Sequence, residues 1–278
     1  MGNQYSKIQT VAKQLPTMFG RVGSKNPIKQ QCIDRFPTGF KTYIEGFLGS
    51  GSVFLHSELP TDVKVVLNDL DKELIGAWNL IEKCPRNIPE GMLNHYKLRG
   101  NLKKARKLYA MENVRAKKHP KFCPPFWQPV HNLWREIART TATFGSIGRG
   151  KIYKPTNANT KLARINDYQD KLANAEITNQ NIFDVIDDND NKDTFMYLDP
   201  PYENSTRLYT HGGFPLDDFA DRLRKFKGKF LVSINDSPAV RKMFAGFKME
   251  EIFVRAGGLN GAQALGQKSR DELFISNY

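Results

Sequence analysis

Apolar and polar positions divide this chain into three zones. In the first, residues 17–83, short apolar runs alternate with amphipathic stretches. Ser24 or Asn26 is placed to cap a helix through IKQQCIDRF, with Pro27 in its first turn. Residues 41–45, KTYIE, are short and β-prone. Residues 63–67, VKVVL, form the near-continuous apolar run expected of a buried parallel strand. A small helical patch starts at Ser52. Asp69 opens a further helix, DKELIGAWNLIEK, in which Leu74, Ile75, Trp78 and Ile81 recur at helical spacing.

The middle zone breaks this rhythm. Pro85 and Pro89 interrupt it, a long polar helix fits 91–111, and Pro120, Pro124, Pro125 and Pro129 mark a turn-rich stretch. Residues 131–139 read as helical, and 140–160, rich in Gly, Thr and Asn, as loops or a hairpin. Alternation then resumes. Helices are expected at 168–173, 216–226 and 238–244. Strands are expected at 176–178, 195–198, 229–234, 251–255 and 272–276. Strands alternating with helices on both sides of an insert predict one α/β sheet domain, 1–83 with 165–278, interrupted by a second lobe at 84–164.

Charge sharpens the division. The 278 residues carry a formal +13, and between 97 and 161 sixteen Lys or Arg face only Glu112 and Glu136. That segment is +14, while the rest, with 26 basic and 27 acidic groups, is −1. A neutral frame with a basic insert points to a polyanion, most simply nucleic acid. No stretch approaches the ~18 apolar residues of a membrane helix. The first residues, MGNQYSKIQT, lack the apolar core of a secretory signal, and Gly2 with Ser6 fits the myristoylation pattern no better than chance. Cys32, Cys84 and Cys123 are too scattered for a disulfide framework or zinc set, which suits buried thiols in a reducing compartment.

Three constellations carry chemistry. In FLGSGSVF, Gly49 and Gly51 let the backbone turn tightly and approach a ligand. Asp69 follows Gly51 at the tip of the next strand, near the spacing at which an acid meets ribose hydroxyls, and it is equally a good helix cap. Asp199-Pro200-Pro201-Tyr202 ends the apolar strand FMYL. There an acid, a carbonyl whose chain neighbours supply no N–H, and an aromatic ring suit a planar amine. GAQALGQKS at 261–269 is one residue too long for a phosphate-binding P-loop and reads as a mobile loop.

Together these motifs resemble the Dam-like DNA adenine N6-methyltransferases. GRVGSKNPIKQQCIDRFP is similar to the family's opening motif, YIEGFLGSGSVFL to its cofactor loop, LNDLDKELIGAWN to its second-strand acid motif and SRDELFISNY to its closing strand. The order of motifs is also that of the Dam-like group. Three positions depart: Arg21 stands for an aromatic, Ser24 for the second Gly of Gly-Gly-Lys, and Gly46 for the Pro before Phe47.

The resemblance implies a Rossmann-like, S-adenosylmethionine-dependent domain with an inserted, mainly helical target-recognition lobe. It implies methyl transfer to N6 of a flipped-out adenine without a metal. Lys25 would meet the methionine part of S-adenosylmethionine, Asp69 its ribose and Asp199 its reacting end, with Arg21, Phe47, Gly49 and Gly51 completing that surface. Asp199 and the Pro200 carbonyl would hold the amino hydrogens, Tyr202 would stack on the base, and Pro201 would stiffen the turn. Lys103, Lys104, Arg106, Lys107, Arg135, Arg139 and Arg149 are the candidate DNA contacts. The expected partner is double-stranded DNA, not a membrane. The chain is expected to act as a monomer or weak dimer inside a cell, on nucleoid or viral DNA, within a restriction–modification context. An RNA adenine or cytosine N4 amine as target, and a catalytically inactive DNA-binding relative, stay open from the residues alone.

Overall fold

The computed structural model describes residues 14–21, 23–90, 93, 107, 128–142, 158–201, 213–255 and 269–278. Gly2, Ser6, Lys103, Lys104, Arg106, Cys123, Arg149 and Tyr202, most of the helix expected over 91–111, and nearly all of the 261–269 loop lie outside the described residues.

Seven strands form one sheet: β1 Thr42–Glu45, β2 Lys64–Asn68, β3 Ala175–Thr178, β4 Thr194–Leu198, β5 Lys229–Asn235, β6 Lys248–Arg255 and β7 Ser269–Ser276. Their order is β3-β2-β1-β4-β5-β7-β6. The first five are parallel, and β7 runs antiparallel between β5 and β6. This is the Rossmann-like arrangement, in which the chain winds outward from β1 in both directions.

Side chains of successive strand residues point to opposite faces, and the chain uses that to build two cores. Tyr43, Val65, Leu67, Phe195, Tyr197 and Leu231 lie on one face. Ile44, Val66, Met196, Leu198, Phe230 and Val232 lie on the other. All five residues of β4 are buried, as its uninterrupted apolar character predicts.

Helices cover both faces. On the first lie α1 Lys29–Ile33, α2 Ser52–His56, α3 Lys72–Lys83, α4 Gln128–Ala142, α5 Ala158–Leu162 and α6 Ile165–Leu172. On the second lie α7 Ile182–Asp188, α8 Leu216–Lys225 and α9 Pro238–Met243. Helix α4 falls inside the range read as an insert. Its Val130, Leu133, Trp134, Ile137 and Ala138 are fully buried and share a core with Trp78 of α3.

Several local expectations are corrected. Neither Ser24 nor Asn26 caps α1; Ile28 stands there without a side-chain bond. Ser24 Oγ is engaged instead with Ser50 Oγ at 2.8 Å, and Asn26 Oδ1 accepts from Lys29 Nζ. Asp71, directly before the first helical residue, caps α3 by accepting from Leu74 N–H, while Asp69 accepts from Gly49 N–H and Asp71 N–H. Part of the 140–160 stretch is helical, through the end of α4 and the start of α5. Helix α7 was not anticipated.

Candidate active site

Strands β1 and β4 are parallel neighbours in register, Glu45 opposite Tyr197, and the chain turns away from β1 to one side of the sheet and from β4 to the other. A crevice forms outside the carboxyl ends of such a pair, and ligands of open α/β sheets bind there. The glycine loop leaves β1 at this edge. Gly49 and Gly51 have φ of +51° and +62°, which only glycine adopts readily. A Cβ on Gly51 would sit 2.7 Å from the Trp78 ring, whose Nε1 donates to Gly49 O at 3.2 Å. The loop is therefore clamped from below by an indole.

Its other anchor is Glu45, the last residue of β1 and 2 % exposed. Glu45 Oε2 accepts from Phe54 N–H of α2 at 2.9 Å and from Tyr43 O–H at 2.8 Å. Burial pushes this carboxyl up to about 8, against the pull of those two bonds. Phe54 stands where a dinucleotide fingerprint has its third glycine, and its N–H serves this anchor.

At the tip of β2, Asp69 Oδ2 accepts from Gly49 N–H at 2.8 Å and Oδ1 from Asp71 N–H at 2.9 Å. Burial raises its pKa, and both backbone bonds oppose that. A carboxylate has about four acceptor sites, so these two bonds leave capacity. Leu70 beside it is 56 % exposed, an uncommon placement for a large apolar side chain. Arg21 binds Asp71 at 2.6 Å. Burial acts on Asp71 in the upward direction, yet the guanidinium and the Leu74 N–H prevail and hold it below the ordinary carboxylate value. Beneath this rim, buried Asn68 donates to Gly46 O and Gln180 O and accepts from Thr178 Oγ1 and Gln180 N–H, tying together the ends of β1, β2 and β3.

Asp199 emerges from β4, with Pro200 buried and Pro201 partly exposed after it. Lys25 Nζ lies 2.7 Å from Asp199 Oδ1 and 3.5 Å from Glu272 Oε2 on β7. Lys25 is 3 % exposed, Glu272 1 % and Asp199 22 %. One segment, 20–25, thus reaches α4 through Gly20 N–H on Thr140 Oγ1, α3 through Arg21, the glycine loop through Ser24 and the strand-tip acid through Lys25.

Most expected site residues gather here: Arg21, Lys25, Gly49, Gly51, Asp69, Asp199, Pro200 and Pro201. Phe47 turns to the second core, edge-on to Phe214 at 5.5 Å. Of the basic candidates, Lys107 is exposed, while Arg135 and Arg139 share Glu136 at 3.8 and 2.7 Å. Glu45, Asn68, Asp71 and Leu70 were missed as site residues. Glu272 was quoted within its motif but given no role. Among the described residues no three His, Cys, Asp or Glu gather as metal ligands, and no helix is long and apolar enough to cross a membrane. Cys32 and Cys84 are free and buried, and burial pushes both thiols up to about 12.

Sheet order and crevice together define a Rossmann-like α/β fold with a ligand site at the carboxyl ends of β1 and β4. Residues 22–255 match the D12 class N6 adenine-specific DNA methyltransferase family, and the chain belongs to it. Its function is methylation of DNA adenine at N6. Two curated relatives are the Type II methyltransferase M1.LlaDCHI of Lactococcus lactis subsp. cremoris and the Type II methyltransferase M.MjaIII of Methanocaldococcus jannaschii. The first is 24% identical over 279 residues, spanning 92% of this chain and 93% of the relative. The second is 22% identical over 285 residues, spanning 92% and 96%. The solved structure of yhhF from Escherichia coli covers 94% of this chain and 90% of its own, at a TM-score of 0.34 and 12% identity; the fold assignment rests on the sheet itself.

Proposed function

We propose that the crevice binds S-adenosylmethionine along the β1–β2 edge and a flipped-out adenine against Asp199. The residues present fit that cofactor. Gly49 and Gly51 give a close backbone approach, and at Gly51 there is no room for a side chain over Trp78. Asp69 retains acceptor capacity for ribose hydroxyls, and exposed Leu70 offers the apolar flank that a nucleoside base needs. Arg21, fixed on Asp71, borders the same rim. When bound, the cofactor supplies an electrophilic methyl carried on a sulfonium.

The chain's own residues handle the amine. Asp199 and the Pro200 carbonyl accept the amino hydrogens, which turns the nitrogen lone pair away from them and toward the methyl. Positive charge grows on that nitrogen as the methyl arrives, and a carboxylate already in place stabilises it more in the transition state than in the ground state. Tyr202 supplies a stacking face, and Pro201 holds the turn. Taking adenine out of the duplex costs a few kcal/mol. Phosphate contacts from the 84–164 lobe, through Lys103, Lys104, Arg106, Lys107, Arg135, Arg139 and Arg149, supply affinity to offset it.

The observation that carries this reading is Asp199 at the carboxyl end of β4, joined through Lys25 to the segment that also holds the glycine loop. The experiment is transfer of labelled methyl from S-adenosylmethionine to duplex DNA, followed by digestion to nucleosides. Asp199→Ala should lower turnover by about 10²–10³-fold, and Tyr202→Phe should keep most of it. Label outside N6-methyladenine, or near-native turnover by Asp199→Ala, overturns the assignment of the site.

A further inference from the structure

Lys25 and Glu272 sit at opposite ends of the sequence, yet both are buried and in contact. Removing an ammonium and a carboxylate from water costs several kcal/mol per ion before pairing, and an apolar pair often serves stability at least as well. Stability is therefore a weak reason for this arrangement, and its geometry supplies a better one. Lys25 Nζ is shared unequally, 2.7 Å from Asp199 and 3.5 Å from Glu272.

Glu272 has a rigid base. Strand β7 is paired on both sides, with Glu272 opposite Asn235 of β5 and Ile252 of β6, and Ser233 Oγ lies 3.5 Å from its Oε2. Lys25 has a long flexible stem, and its C=O accepts from Ile28 N–H just before α1. A fixed carboxylate behind a flexible ammonium sets where that ammonium stands, and with it the plane of the Asp199 carboxylate.

We propose that Glu272 is a positioning residue for methyl transfer, acting through Lys25 to orient Asp199 and to give the cluster the net charge the reaction needs. The proposal rests on the reading of Asp199 as acceptor of the amino hydrogens. The charges of Lys25, Asp199 and Glu272 themselves sum to −1. The positive charge that grows on the adenine nitrogen brings the group of four to neutrality. With only Asp199 and Lys25 present the cluster starts neutral and draws that charge less strongly. The effect belongs to the transition state, so it falls on turnover and spares the affinity for either ligand.

The test is steady-state methylation of duplex DNA, with separate titration of S-adenosylmethionine binding. It uses the full chain and its variants Glu272→Gln, Glu272→Asp, Lys25→Met, Lys25→Met/Glu272→Gln and Asp199→Asn. Glu272→Gln should lower kcat on the order of 10²-fold, the scale of a small misplacement at a reacting centre. KM for DNA and cofactor affinity should stay within about threefold. Glu272→Asp, which keeps the charge, should restore most of kcat. The double variant should be no slower than Lys25→Met, because two residues acting through one path are not additive. Native kcat in Glu272→Gln overturns the proposal. So does a loss confined to cofactor affinity, which would assign the pair to the cofactor. Should Glu272→Gln not fold, the double variant carries the test, since it removes both buried charges: a kcat equal to that of Lys25→Met upholds the proposal, and a further loss beyond Lys25→Met overturns it. Asp199→Asn separates the two levels. Retained turnover there defeats the reading of the site itself, whereas its loss beside a native Glu272→Gln defeats only the role of Glu272.

Discussion

Glu45→Gln should flatten the fall in stability expected of the native chain between about pH 5 and 8. The carboxyl is 2 % exposed, and its pKa is pushed up to about 8 from 4.5. Between those values the folded protein holds a proton that the unfolded chain has released. Unfolding therefore releases a proton, and stability decreases as pH rises, by about 1.4 kcal/mol per pH unit. From pH 5.5 to 7.5 this one group is worth about 2–3 kcal/mol. Glutamine has the same shape and keeps an oxygen for Phe54 N–H and Tyr43 O–H, so the anchor survives while the titration goes. Two neighbours act with the other sign. Burial holds His56 below its usual value and brings Lys171 down to about 8, so each adds stability as pH rises. Lys171 acts only above about pH 8, and His56 is common to both proteins. The difference between native and variant therefore isolates Glu45. The assay is urea unfolding followed by circular dichroism at pH 5.5, 6.5 and 7.5. The two proteins should be closest at pH 5.5, and the variant should gain on the native chain as pH rises. Parallel curves across that range would refute the reasoning.

Three further outcomes are expected. Gly51→Ala places a methyl 2.7 Å from the Trp78 ring at φ +62°; it should destabilise by about 2–4 kcal/mol from backbone strain and overpacking, read by thermal unfolding, and a native midpoint defeats the clamp. Asp69→Ala removes the acceptor of Gly49 N–H and Asp71 N–H, and bonds to a charged group are worth about 1.5–3 kcal/mol each. Its S-adenosylmethionine affinity should fall at least tenfold with DNA affinity nearly intact, and equal losses of both would count against a cofactor role. Replacing Lys103, Lys104, Arg106 and Lys107 with Gln should weaken DNA binding for every sequence and flatten the salt dependence by about 0.9 in log–log slope per lost phosphate contact; an unchanged slope makes this run a solvated surface.

The strands were legible because most carry a short run of β-branched or aromatic residues between breakers, and β6 and β7 begin three residues before the stretches that pattern marks. Helix α7 was missed because IFDVIDD is short, and three of its seven residues are acidic. The exchange of roles between Asp69 and Asp71 shows a limit of spacing arguments. Both acids stand where a cap is wanted, and what engages Asp69 instead is Gly49 N–H, which comes from the loop after β1. Glu45, Asn68 and Glu272 escaped notice for the same reason. Apart from Tyr43 beside Glu45, the partners named for them lie on other elements, so little that is adjacent in sequence marks them as special. Asp199 was found because its chemistry is local: acid, free carbonyl and ring are consecutive.

The three departures from the family pattern now have local explanations. At Gly46 an added Cβ would lie 2.6 Å from Ile182 Cδ1 and 2.7 Å from Leu198 Cδ2. A proline there would crowd both, and glycine leaves room for Ile182 on α7 and Leu198 on β4. Ser24 replaces a glycine and uses its hydroxyl, since Ser24 Oγ and Ser50 Oγ join the strap to the loop at 2.8 Å. Arg21 replaces an aromatic and finds Asp71, the acid that caps α3. In each case a side-chain change at the rim is matched by a partner in contact with it, and none disturbs Gly49, Gly51, Asp69 or Asp199. Each change is met by a contact of its own, so the residues at the ends of β1, β2 and β4 keep the places those strands give them.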